Sequence, residues 1–254
     1  MPTTRKPPSF WTQLVDLVLI ELTNWRWTWR GLVVISTIAP LASMAALGIF
    51  ARDSGAEALS YVFTGNIVLS LLFGIEGNVQ SHFMFMRLEG VLDYFATLPV
   101  KKSALLTAVI TAFFLLALPS VLATIFIGAH VLDIRLHLHP LVIVVMPLCA
   151  LPISAIGALI GLKARNYAEA GSINLLLTFV LLGLGPVIIP PDRLPNWLLA
   201  LGWLSPTTYA SSALRQVLLG PITGQLWWDI GVLVGFTAVS FGVIGRLLQW
   251  RRDQ

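Results

Sequence analysis

Few residues of this chain are equipped for chemistry, and they do not gather in the sequence. A phosphate-cradling Walker loop needs a glycine directly before a lysine, yet the four lysines follow Arg5, Val100, Lys101 and Leu162. Any ATP must therefore be bound by another chain. The sequence has neither a His-Glu-x-x-His pair for zinc nor a Gly-x-Ser-x-Gly elbow for a serine nucleophile. Of the four histidines, His82, His130, His137 and His139, the last two stand two apart beside Pro140. A zinc site wants three or four ligands with supporting partners, so these two read as solvated loop residues. No metal and no catalytic residue are expected. Cys149 is the single cysteine, which precludes an intramolecular disulfide and reads as packing. Glu76 is the acid nearest the middle of an apolar run, where a charge costs about 3 kcal/mol or more. Asn78, Gln80, Ser81 and His82 follow it. They place Glu76 about one turn from the end of a span, at the interface, with a functional buried acid as the alternative.

The elements that must position these residues are membrane helices. The 254 residues are 57% hydrophobic and 11% charged, with a mean hydropathy of +0.84. No ordinary soluble domain has that balance. About 20 apolar residues cross roughly 30 Å of hydrocarbon, and six such runs are present: Gly31 to Phe50, Leu59 to Val79, Ala104 to Ile127, Pro140 to Leu162, Ala170 to Ile189 and Leu226 to Leu248. The expected fold is an all-α integral membrane protein in one domain over 1–254, with an interfacial helix in 1–30, a six-span bundle over 31–248 and a short tail at 249–254. No hydrophilic stretch is long enough for a soluble domain, and no repeat is evident.

Charge sets the orientation. Arg5, Lys6, Arg26, Arg30, Arg87, Lys101, Lys102, Lys163, Arg165, Arg246, Arg251 and Arg252 fall on the side of both termini, against Arg52, Arg135, Arg193 and Arg215 on the other. By the positive-inside rule both termini are cytoplasmic. The net charge of +4 is thus topological; the cations sit at membrane edges rather than on one soluble face, so no nucleic acid is expected. The first thirty residues imitate a secretory signal peptide poorly, because Asp16 and Glu21 interrupt the apolar stretch and no small-residue cleavage site follows. Phe10, Leu14, Leu17 and Val18 form an apolar stripe, and Trp25, Trp27 and Trp29 suit the headgroup layer. An interfacial helix fits.

Two loops carry more than connection. Between the second and third spans, Leu88, Val91, Leu92, Phe95 and Leu98 trace one face of a helix, while Glu89 and Asp93 share another. Pro99 ends the helix, and Lys101 with Lys102 marks re-entry into the membrane. Such a helix either lies on lipid or is presented to a cytoplasmic partner; its two acids favour a protein partner, since anionic lipid repels them. Before the last span, Pro190, Pro191, Pro195 and Pro206 break a stretch in which Leu194 to Trp203 and Thr207 to Gly220 read as short helices entering the interface without crossing it. These helices either cap a pathway or shield the tops of their neighbours. Arg215 can reach headgroups from there. Gly157 with Gly161, and Gly231 with Gly235, have the spacing of close-packing surfaces, a spacing that chance also produces in a chain with 20 glycines.

The run Leu88-Glu89-Gly90-Val91-Leu92-Asp93-Tyr94-Phe95-Ala96-Thr97-Leu98-Pro99, together with Leu194-Pro195-Asn196-Trp197-Leu198, Leu204-Ser205-Pro206-Thr207-Thr208-Tyr209 and Arg215, resembles the permeases of type 2 ATP-binding cassette (ABC) transporters. The resemblance covers nearly the whole chain. It implies a permease subunit of an exporter in the cytoplasmic (inner) cell membrane, paired with a second permease copy or a homologous permease chain. Separate ABC ATPase subunits would carry ATP and Mg. It further implies that Arg87, Leu88, Glu89, Gly90, Leu92, Asp93 and Pro99 belong to a coupling helix docked on the ATPase. Trp11, Asp16 and Glu21 would lie on a connecting helix, and Pro195, Trp197, Pro206, Tyr209 and Arg215 in an outer re-entrant gate. Few polar residues ring the spans, which favours an apolar or amphipathic cargo. The competing reading is a gradient-driven carrier or channel without an ATPase, centred on Glu76.

Overall fold

A chain in hydrocarbon has to satisfy its backbone hydrogen bonds within each segment, which leaves helices or closed barrels. In the computed structural model, which describes residues 9–24 and 29–247, the described residues form helices and connecting turns without strands. In chain order these are α1 (Phe10–Asn24), α2 (Trp29–Arg52), α3 (Ala56–Leu88), α4 (Val91–Thr97), α5 (Lys102–Leu132), α6 (Val142–Lys163) and α7 (Tyr167–Gly183). After a single 3-10 turn at Pro191–Arg193 come α8 (Asn196–Gly202), α9 (Pro206–Leu219) and α10 (Gly224–Leu247). Five helices, α2, α3, α5, α6 and α10, are long and apolar enough to cross a membrane, and α7 is a shorter apolar helix. Trp25, Trp27, Leu248 and the tail at 249–254 lie outside the described residues.

Helix α3 is the axis of the bundle. Its 33 residues extend for roughly 50 Å at 1.5 Å per residue, and residues from Val62 to Leu72 are buried around the whole circumference, as a helix apolar on all sides requires. The second predicted span therefore runs on past Val79 to Leu88, and of the polar residues expected to mark its end Gln80 is buried, Asn78 and His82 are half-buried and Ser81 is exposed. Glu76 is completely buried, not interfacial; it closes a turn of π-helix, Leu72–Glu76. The run of helical spacing from Leu88 to Leu98 is likewise not one helix. Leu88 ends α3, Gly90 takes a left-handed φ of 72°, and Leu98 is already extended. Spacing cannot register a single left-handed residue inside a repeat.

Close backbone approach fixes α6 against α3. A Cβ on Gly157 would strike the Glu76 carbonyl, and one on Gly161 the Gln80 carbonyl, so this small-residue pair lets two helix backbones meet. Gly231 and Gly235 on α10 face open space. On the other flank of α3, hydroxyls bond across: Ser70 Oγ donates to the Ser36 carbonyl at 3.0 Å and Thr124 Oγ1 to Ser70 Oγ at 3.3 Å, which ties α2, α3 and α5 together inside the bundle.

The fifth span starts earlier and stops sooner than expected from apolarity. Asn166 Oδ1 accepts from the Glu169 amide at 2.8 Å and Glu169 Oε2 from the Arg165 amide at 2.9 Å, a side-chain cap that starts α7 at Tyr167. The helix ends at Gly183 because Gly185 has a φ of 91° and Pro186 follows. Gly185 also lies backbone to backbone against Gly202. The two short helices expected before the last span are present as α8 and α9.

Substituting Gly157 by Ala is expected to destabilise the protein by about 1–3 kcal/mol, the cost of overpacking a tight contact, whereas Gly231→Ala is expected to stay within about 0.5 kcal/mol. Thermal unfolding of both variants in one detergent checks this; equal melting temperatures would remove the α3–α6 contact from its central place.

Candidate functional site

The end of the bundle that bears α4 is a platform held at fixed points. Arg87, in the last turn of α3, donates to the carbonyls of Leu162 and Ala164 where α6 ends. A cation there satisfies orphan carbonyls and complements the helix dipole. Glu89 and Gly90 turn the chain, and α4 follows with no buried residue. Glu89, Asp93 and Tyr94 point outward, Tyr94 being 63% exposed, while Val91, Leu92 and Phe95 rest against the core. Pro99 is exposed but its carbonyl is not free: Gln13 Nε2 donates to it at 3.2 Å, and Gln13 Oε1 accepts from the Lys101 amide at 2.9 Å. One side chain of α1 thus clamps the strap between α4 and α5.

Helix α1 is positioned to do this by a buried stripe of Gln13, Leu17 and Glu21, spaced i, i+4, i+8. Phe10, Leu14 and Val18 flank the stripe against the core, as their spacing predicted. Glu21 reaches His82 of α3, Oε1 to Nε2 3.1 Å, and the imidazole stands edge-on to Phe113 at 5.5 Å. Glu21 therefore belongs to the interior. Trp11 and Asp16 are exposed on the far side, with Trp11 at 72%. Gln13 escaped the sequence reading; the signal that could have found it is a polar residue in register with Leu17.

Deeper in the bundle, Glu76 joins α3 to α7. Its Oε2 accepts from Thr178 Oγ1 at 3.3 Å. The Asn174 amide, oriented to satisfy both partners, donates to Oε1 at 2.6 Å and to Oε2 at 3.0 Å. Each oxygen of a carboxyl deep in an apolar bundle is thereby hydrogen-bonded, as burial demands. Among the described residues, no three His, Cys, Asp or Glu side chains gather into a group able to hold a metal.

At the opposite end, the Ser205-Pro206-Thr207-Thr208-Tyr209 run is a fastening. Thr207 Oγ1 donates to the Leu181 carbonyl at 2.5 Å and Thr208 Oγ1 to the Leu184 carbonyl at 3.3 Å, so the first turn of α9 supplies donors to the carbonyls orphaned where α7 ends. Pro206 occupies the first helical position. Tyr209 is buried and its hydroxyl donates to the Trp203 carbonyl at 3.0 Å. Pro195 caps α8, and Trp197 points outward, 64% exposed. Arg215 lies over the Tyr61 ring, 3.5 Å from its centroid, on the wall of a cavity of about 350 Å³ between α3, α8, α9 and α10. Asp229 of α10 is on the same wall, its oxygens held by Ser212 Oγ at 2.6 Å, Gln225 Nε2 at 3.0 Å and Gln216 Nε2 at 3.3 Å. Asp229 was not singled out from the sequence, though an acid within an apolar span is itself a signal. The structure separates the predicted residues into these two ends and brings none of the α4 group near the α8–α9 group.

The described residues thus form an all-helical bundle, with five helices long and apolar enough to cross a membrane and a small exposed helix at one end. Residues 12–219 match the ABC-2 type transporter family, and the chain belongs to that family. It is a membrane component of an ABC transporter, a class that works with ABC ATPase subunits. The chain is also 25% identical over 206 residues, 78% of its own length and 68% of the relative's, to the daunorubicin resistance ABC transporter permease protein DrrB1 of Streptomyces coeruleorubidus. Family membership sets aside the gradient-driven alternative as the account of its driving force.

Removing the clamp with Gln13→Ala leaves the Pro99 carbonyl and Lys101 amide without that partner. The strap is expected to open more readily by about 1–2 kcal/mol, read as a roughly five- to thirtyfold faster hydrogen exchange at the Lys101 amide. Unchanged exchange there would show that α1 does not hold the strap.

Proposed function

We propose that this chain is the membrane-spanning half of an ABC exporter, in which α4 is the coupling helix that receives the movement of separate ATPase subunits. The observation that carries the reading is the mounting of α4. The helix and the turn before it offer Glu89, Asp93 and Tyr94 outward, and none of its residues is fully buried, while both of its ends are tied, through Arg87 to α6 and through Gln13 to α1. A helix so mounted cannot be displaced by a partner without dragging α3 and α5, between which it is spliced. Coupling requires that ATP favour one permease conformation by contacts absent in the other, and the exposed α4 surface is where such contacts would form. ATP and Mg belong to the partner subunits; this chain transmits and breaks no bond.

In this reading the basic residues gathered at the α4 end put α4 and both termini in the cytoplasm, with the protein in the inner cell membrane. Helix α7, with the irregular segment 184–190 that continues it, completes the sixth span, and residues 1–254 act as one permease domain. Helix α1 is the connecting helix: its inner stripe grips the bundle, and Trp11, Val15, Leu19 and Ile20, all at least half-exposed, face the lipid interface. The permease pairs with a second copy or a homologous chain, and the open Gly231 and Gly235 face of α10 suits close helix contact. Export of an apolar or amphipathic cargo agrees with spans poor in polar rings and with the drug-resistance name of the relative.

Reversing both exposed acids, E89K with D93K, is expected to reduce co-purification of the ATPase subunit on the order of tenfold or more, because like-charge juxtaposition costs several kcal/mol, with membrane insertion unchanged. The measurement is the ATPase-to-permease ratio after mild detergent extraction from native membranes. Wild-type recovery and wild-type transport by the double variant would falsify the coupling role.

A further inference from the structure

The cavity of about 350 Å³ beneath α8 and α9 contains a cation without a protein acceptor. Arg215 has its Nε buried with no partner among the described residues, and its guanidinium lies against Tyr61. An aromatic face holds the plane of an Arg but leaves its in-plane N–H donors open. The acids nearest in charge, Asp229 and Glu57, form no ion pair with it within 4.0 Å. Asp229 is only 1% exposed, and three donors already occupy its oxygens. The polar capacity left open in the cavity is therefore that of a donor fork, whose planar geometry matches an oxyanion. Apolar and aromatic residues, including Pro186, Leu199 and Trp203, make up much of the remaining lining.

We infer that this cavity binds an amphiphile with an oxyanion head, a phosphate or carboxylate, which takes the donors of Arg215 while its apolar body lies along Leu199 and Trp203. A neutral amphiphile would leave the guanidinium without a counter-charge. A cationic one would add a like charge beside Arg215. The inference rests on the cavity alone and does not depend on how α4 is driven.

The test uses the full chain in dodecyl maltoside and follows its melting temperature during titration with dodecyl phosphate, dodecyltrimethylammonium and inorganic phosphate. Dodecyl phosphate is expected to raise the melting temperature saturably, the cation not at all, and inorganic phosphate only at about a hundredfold or higher concentration, since it lacks the tail. In R215Q the response to dodecyl phosphate should disappear while the variant still melts cooperatively. Native mass spectrometry from phosphatidylcholine nanodiscs containing phosphatidylglycerol then separates the sources of the head. Retained phosphatidylglycerol that dodecyl phosphate displaces identifies a bilayer lipid, and a response to dodecyl phosphate without retained phosphatidylglycerol identifies a smaller amphiphile. Equal stabilisation by the cationic and anionic detergents in the wild type, which requires no variant to fold, would overturn the inference, as would an undiminished dodecyl phosphate response in R215Q.

Discussion

The rest of the bundle depends on the contact of two helix backbones at Glu76 with Gly157 and Gln80 with Gly161. In lipid there is no hydrophobic drive to bring helices together, so close packing and hydrogen bonds must do it, and glycine is the residue that allows the closest approach. With α6 pressed onto α3 at this point, Arg87, about two turns beyond Gln80, meets the last carbonyls of α6. Towards the opposite end, α9 and α10 find α6 and α3 as a surface to pack on. Glu76 occupies the same place: its backbone meets α6, and its carboxyl reaches Asn174 and Thr178 of α7. One turn of helix therefore orders three elements.

The two ends of the bundle solve different problems with the same physics. At the α4 end an exposed helix of seven residues is held by side chains that hydrogen-bond its flanks, which leaves its own outward surface unused. At the other end hydroxyls from the first turn of α9 complete α7, and a polar cluster around Asp229 is closed upon itself. Irregular backbone at membrane depth is tolerated only where it is buried in protein or lines a cavity, and the stretch from Gly185 to Ile188 packs on Gly65 and Gly202. Rigidity at one end and a cavity at the other are what a component that transmits motion and handles an amphiphile would need.

The amino-acid sequence by itself determined the solvent of this protein, the existence of its apolar helices, the two short helices before the last span, the apolar stripe of α1 and, through the motifs around Leu88 to Pro99 and Leu194 to Tyr209, its family. These are local matters of composition, spacing and turn chemistry, and they survive without knowledge of neighbours. The cap that Asn166 places on the Glu169 amide was equally local and could have been read. What only the tertiary structure decided is which residues face each other. Glu76 stood in the sequence one turn from the end of an apolar run; only the burial of α3 within other helices moved it from the interface to the interior. Gly157-Gly161 and Gly231-Gly235 share one spacing, and only the first meets a backbone. Gln13 and Pro99 are far apart along the chain, and Arg215 and Tyr61 further still, so no periodicity links them. Spacing along a helix names a face, but whether that face meets lipid, a carbonyl or a cavity depends on packing between distant segments, which local periodicity does not encode.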